Sequence, residues 1–149
     1  MRNLAIITAF AAMFLCVQTA SAEAGHAEIG RVKSNFGAVS VERSGRHVAV
    51  APGAQLEAGD VLVTGRDGRM GITFVDGTRF ALGPNSHVTL TSFQFDPTRQ
   101  TGSFMTSVDR GSLGVVSGLI AKSHRDAMRV RTPTSMLGVR GTRFVVAVP

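Results

Sequence analysis

The sequence predicts an all-β domain of many short strands, folded as a sandwich or a solenoid-like roll with tight glycine turns. Three observations carry that prediction. Glycines at 30, 37, 45, 53, 59, 65, 68, 71, 77 and 83 punctuate the first half of the chain, mostly six to eight residues apart. The stretches between them alternate apolar and polar residues, the period of a half-buried strand. The dipeptides Ser44-Gly45, Asp67-Gly68 and Asp76-Gly77 have hairpin-turn chemistry, because glycine accepts positive φ and a small polar side chain bonds nearby backbone amides.

The chain has 149 residues, a length suited to one domain. Its first segment reads differently from the rest. Met1, Arg2 and Asn3 make a short basic start, Leu4 to Val17 is an apolar run, and Ala20-Ser21-Ala22 supplies small residues. This is the order of a secretory signal peptide. The run is shorter than the about 20 residues of a bilayer-spanning helix. Residues 1–22 are therefore expected to be a helical signal peptide cleaved after Ala22, leaving residues 23–149 as a single domain in the periplasm or secreted. Bulky Leu15 before Cys16 argues against lipid attachment. Loss of Arg2 takes the net charge from +6 to +5, and loss of Cys16 removes the one cysteine. A cysteine-free domain has no thiolate metal site, no cysteine nucleophile and no disulfide, so its core alone must hold it. No second apolar run of membrane length follows.

The strands are read in order. Ala38–Arg43 and His47–Val50 alternate around Ser44-Gly45. Val61–Val63, Met70–Val75, Arg79–Leu82 and His87–Thr91 continue the pattern. Phe93–Phe95 and Ser103–Val108 read as two strands separated by the Asp96-Pro97-Thr98 turn. Val115, Val116, Leu119 and Ile120 are spaced i, i+3/i+4, which predicts one short helix near 116–123 despite Gly114 and Gly118. Met128–Arg131 and Arg143–Val148 are expected as the last strands. Neither a linker nor a domain boundary is visible.

Little in the sequence points to catalysis. His26, His47, His87 and His124 are scattered, with no metal-ligand spacing. Asp60, Asp67 and Asp76 sit in glycine turns whose spacing does not match a calcium loop. No nucleophile elbow and no phosphate loop occurs. The expectation is a non-enzymatic protein without a cofactor. Fourteen of the sixteen basic residues are Arg, densest at Arg129, Arg131, Arg140 and Arg143, and this cluster is the candidate contact for an anion or a partner. Nucleic acid is excluded as a partner by export and by the absence of Tyr and Trp, which base-stacking platforms use.

Two stretches are more specific. One runs Gly59-Asp60-Val61-Leu62-Val63-Thr64, then Asp76-Gly77-Thr78 and Leu82-Gly83-Pro84-Asn85-Ser86. The other is Thr132-Pro133-Thr134-Ser135-Met136-Leu137-Gly138-Val139-Arg140-Gly141-Thr142-Arg143-Phe144. Together they resemble the FecR-type domain, the periplasmic module of ferric-dicitrate-type signalling regulators, over residues 28–148. The resemblance implies a protein-interaction or sensory module of the bacterial cell envelope. Family regulators also carry a cytoplasmic segment that binds a sigma factor and a membrane helix; this chain shows neither, so anti-sigma regulation is not carried over. Relatives continue through further strands after this block, so the last strand here is expected at an exposed edge, open to self-association or to an envelope partner. The rival reading is a periplasmic protein that binds a small ligand or anion through the arginine cluster.

The motif residues read mainly as architecture. Gly59, Gly77, Gly138 and Gly141 suit sharp turns or close backbone approach. Pro133 ends strand pairing and holds Thr132 extended. Arg140, between two apolar strands, is expected to be partly buried against Asp60 or Asp76, or else to contact an anion.

Overall fold

The computed structural model describes residues 26–149, so the signal-peptide reading of residues 1–22 lies outside the described residues. The strands are β1 (Gly30–Phe36), β2 (Val39–Arg43), β3 (Arg46–Val48), β4 (Gln55–Leu56), β5 (Val61–Thr64), β6 (Arg69–Phe74), β7 (Arg79–Leu82), β8 (His87–Asp96), β9 (Thr101–Val116), β10 (Met128–Arg131), β11 (Met136–Val139) and β12 (Arg143–Val148). One short helix, α1 (Leu119–Ser123), follows β9.

These strands form one curled, mainly antiparallel 12-stranded sheet, an all-β half-barrel. It has two limbs that share β9. The first half of β9 pairs with β8 and, in parallel, with β10; that limb runs β3-β2-β5-β8-β9-β10-β11. The second half of β9 pairs with β7 and β12, giving the limb β4-β1-β6-β7-β9-β12. The limbs fold face to face over a phenylalanine cluster. Phe74 meets Phe80 at 4.7 Å and Phe104 at 4.8 Å between ring centroids, and Phe93 meets Phe104 at 4.9 Å. Phe74 and Phe80 belong to one limb, Phe93 and Phe104 to the other. Around them Val32, Leu62, Val88, Leu90, Val108, Leu113, Met128 and Val130 are fully buried. Burial of one such apolar side chain stabilises the fold by roughly 1.5–3 kcal/mol, so the alternate residues of each strand dictate its inner face.

Several details differ from the sequence expectations. Ser44-Gly45 is a two-residue hairpin with both residues at positive φ, 50° and 74°, the type I′ form that matches strand twist. Asp76-Gly77 is a longer connection instead. The Gly77 amide donates to the Phe74 carbonyl and the Phe74 amide to the Thr78 carbonyl, with Gly77 at φ 86°. Asp67-Gly68 joins no hairpin, because β5 and β6 lie in different limbs; it is a crossover in which the Ala38 amide donates to Asp67 Oδ1 at 3.2 Å. Phe93–Phe95 is not a separate strand but the continuation of β8. Val115 and Val116 extend β9, and the helix begins only at Leu119. The valines obey the two-residue period of the sheet, which their spacing to Leu119 conceals.

β1, β4 and β11 carry no alternation and escape sequence reading. In β1 only Val32 inserts a large side chain into the core, while Gly30 lies against Phe74 and Thr73, its absent Cβ leaving room for the close strand approach. Among the described residues no helix is long and apolar enough to cross a membrane.

Candidate functional site

The motif residues fall into three knots and one surface. The first knot is centred on Asp60, which is fully buried. Arg43, at the end of β2, donates Nε to Asp60 Oδ1 at 2.8 Å and Nη2 to Oδ2 at 2.7 Å. Such a fork-on-fork pair combines charge with fixed geometry. The Glu57 amide adds a third bond to Oδ2 at 2.8 Å, and Glu57 itself pairs with Arg43 Nη1 at 3.0 Å. The hydrogen bond to Asp60 raises the Arg43 guanidinium further above its ordinary pKa. Gly59, at φ 92°, makes the turn that brings Asp60 under β2. Asp60 thus does more than shape a turn, and its arginine lies 17 residues away, where no local signal reveals it.

The second knot is the Asp76-Gly77-Thr78 hairpin. Asp76, also buried, accepts from the Thr78 amide at 3.0 Å, the Thr78 hydroxyl at 2.7 Å and the Ile120 amide at 3.2 Å. The Thr78 hydroxyl in turn accepts from the Gly118 amide at 3.1 Å. Asp76 therefore caps the first turn of α1 from a distant hairpin, satisfying donors that helix starts leave open. A Cβ on Gly118 would lie 2.4 Å from the Thr78 nitrogen, so only glycine lets the two segments approach. Replacing Asp76 with Ala strands two buried amides, each costing about 1–3 kcal/mol. The expected result is a loss of about 3 kcal/mol, read as a lower denaturant midpoint at unchanged slope, with Asp76→Asn recovering only part of it, since an amide keeps one acceptor oxygen and turns its NH2 on a donor.

The third knot is the Leu82-Gly83-Pro84-Asn85-Ser86 corner. Buried Ser86 donates its hydroxyl to the Gly83 carbonyl at 2.8 Å and accepts from the Ser112 amide at 3.0 Å. Its own amide donates to Thr64 Oγ1 at 2.9 Å, and that hydroxyl donates to the Gly83 carbonyl at 2.7 Å. One corner thereby clamps β5, β7, β8 and β9 together.

The surface is built by the Thr132–Phe144 block. Pro133 lies in the turn from β10 to β11, closed by the Thr132 amide donating to the Ser135 carbonyl at 2.8 Å. Gly138 faces the Asp126 carboxylate, which comes within 2.6 Å of where its Cβ would be. Gly141, at φ 60°, turns the three-residue loop that carries the chain from β11 in one limb to β12 in the other. The Thr142 carbonyl anchors that loop by accepting from the Ser117 amide at 3.1 Å. Arg140 sits in this loop and is exposed. It does not reach Asp60 or Asp76, whose partners are Arg43 and the α1 amides; the expectation of a partly buried arginine fails because the loop crosses the open side of the roll and never enters the core.

Nor do the four arginines converge. Arg129 and Arg131 stand on the outer face of β10, across from Gly138 and Met136. Arg143 stands on the outer face of the opposite limb, with Arg79 on the far side of Val116. Among the described residues, no group of three or more His, Asp or Glu side chains is placed to hold a metal. His87 pairs with Asp109 at 2.8 Å on the surface.

The concave feature of this region is apolar. β11 and β12 both lie at limb edges, one above the other, and the space between them is a groove of about 730 Å³. Leu137, Phe144, Val146 and Val148 line it on the inner faces, and Asp109 and Thr132 lie at its rim. Composition and periodicity do not reveal such a groove, because it arises from two edges meeting across the open side of a curled sheet.

Residues 60–148 match the family model described as FecR protein. The chain belongs to the FecR family. FecR proteins are signalling and regulatory domains, not known as enzymes. The matched span begins at Asp60, at the first knot, and closes with β12 along the groove, so it reaches all three knots and the crossover loop. No curated protein and no solved structure matches the chain.

Proposed function

We propose that this FecR protein is an exported, non-enzymatic interaction module of the cell envelope, acting in the periplasm or outside the cell, and that it binds its partner at the β12 edge and the adjoining groove. The groove carries this reading. It is the place where the inner, apolar face of the roll opens to solvent beside a strand whose outer edge is unpaired among the described residues. An extended segment laid there gains main-chain hydrogen bonds from the edge and apolar contacts from Phe144, Val146 and Leu137. The leader-like start of the sequence and the family both support an envelope location.

Substitution of an exposed edge residue tests the site without touching the core. Val145 is 72% exposed, and a lysine there blunts an edge against pairing. Crosslinking capture from native envelopes is expected to recover discrete adducts with the wild-type chain and at least about tenfold less with Val145→Lys, since the edge hydrogen bonds act together. Equal recovery with both chains would sink the assignment.

A further inference from the structure

Among the described residues the curled sheet has four edges, and three of them are blunted. β4 is two residues long, β3 is three residues long and carries Arg46 and His47, and β11 is four residues long with a glycine at 138. β12 is different. It is six residues long, pairs with β9 in an unbroken register without a bulge, and has no charged residue from Phe144 to Val148. Folded proteins ordinarily disarm such an edge with charge, proline, a bulge or a covering element. Among the described residues none of these devices interrupts β12, and the nearest proline, Pro149, follows the strand.

We infer that the partner of this edge is a second copy of the same chain, whose β12 pairs antiparallel with the first about a two-fold axis and closes both grooves. The inference rests on the interaction site proposed above and names its occupant. Opposite residues in an antiparallel pair share a face. Centring the pair on Val145 sets Val145 against its own copy on the outer face, where its exposure is greatest. The same register sets Phe144 against Val146 of the second copy on the inner face, twice over by symmetry. Both inner-face pairs then project over the groove beside half-exposed Leu137.

Charge favours the same arrangement. Arg143, the one charged residue of β12, falls opposite Ala147 of the second copy, so the two guanidinium groups lie at opposite ends of the pair. A parallel pairing of two identical edges would turn one copy over and carry its Phe144 and Val146 to the face away from the groove. The strand Arg-Phe-Val-Val-Ala-Val is thus compatible with itself in one orientation only. The result is a sheet continuous through both copies, joined along their β12 edges.

Sedimentation of the full chain, expressed from its own start, tests this directly. The wild-type chain is expected at twice the mass of the Val145→Lys chain, with matching circular dichroism for the two. A Val145→Cys chain places single thiols against each other across the axis, and mild oxidation is expected to give a covalent dimer. Val75→Cys, on the exposed hairpin between β6 and β7, and the wild-type chain, whose one cysteine is Cys16, are expected to give none. A wild-type monomer at every concentration reached overturns the second-copy assignment. So does a dimer that survives Val145→Lys and leaves the thiols of the Val145→Cys chain unlinked. The interaction site is read separately: a monomer whose envelope capture is still lost in Val145→Lys uses the edge for another protein, whereas unchanged capture removes the site as well.

Discussion

An Arg43→Ala chain is expected to lose about 3–5 kcal/mol of stability, the range for removing one partner of a buried ion pair, and to unfold at a much lower denaturant midpoint. The reason is asymmetry of burial. The Asp60 side chain is 1% exposed while Arg43 is 29% exposed, so the substitution leaves a carboxylate sealed from water with only the Glu57 amide to answer it. Arg43 also donates to the Gln55 carbonyl at 3.1 Å, so the chain on both sides of the Gly59 turn loosens together. Arg43→Lys is expected to recover only part of the loss, because an ammonium cannot span both carboxylate oxygens in one plane. Chemical denaturation of the three chains decides the matter. A loss below about 1 kcal/mol for Arg43→Ala would place the pair among ordinary surface ion pairs.

The strands that sequence reasoning finds are those whose burial alternates. β7, with Arg79 and Ala81 exposed and Phe80 and Leu82 buried, is legible residue by residue. β6 and β10 follow the same rule. β1 is illegible for a physical reason: it pairs on both sides, yet its stability comes from backbone bonds and from Val32 alone, and backbone bonding leaves no mark in the side-chain pattern. The glycines divide in the same way. Gly59, Gly77 and Gly141 stand at positive φ in turns, where sequence alone places them. Gly30 and Gly118 are required by a neighbouring segment that is distant in the chain, so nothing local announces them.

The candidate site is less legible than the fold. Motif residues draw attention to Asp60, Asp76 and Thr78, and these are joints of the roll, each combining local bonds with one partner segment far along the chain. Arg140 invites a buried role because apolar residues flank it, whereas the chain there is crossing between limbs. The groove is lined by Leu137, Phe144, Val146 and Val148, residues that in sequence read only as strand positions. What distinguishes them is that the sheet does not close over them. Closure is a property of topology and not of any one strand.

The bend of β9 shows how much of this shape rests on a single position, and Gly111→Ala is expected to cost about 3 kcal/mol there. β9 serves both limbs, and Gly111, at φ 88°, lies where its pairing passes from β8 to β7 and β12. An L-residue in that conformation carries a penalty of roughly 1–2 kcal/mol. Space adds a second penalty, since a Cβ would lie 2.4 Å from the Ser86 Cα and 2.7 Å from the Asn85 carbonyl oxygen. Both are backbone atoms of the corner that clamps the limbs, so neither can swing aside, and forced overpacking of this kind costs about 1–3 kcal/mol more. A neighbouring control lacks both contributions. At Gly114, also in β9, φ is not positive and the nearest atoms to a Cβ lie at 3.7 Å, so Gly114→Ala is expected to change stability by less than about 1 kcal/mol, in the direction of gain from a stiffer unfolded chain. Equal midpoints for the two variants would mean that the limbs do not depend on the bend. A large loss at Gly111 alone would show that the fold depends on the left-handed turn of β9 and on its close fit to the Asn85-Ser86 corner.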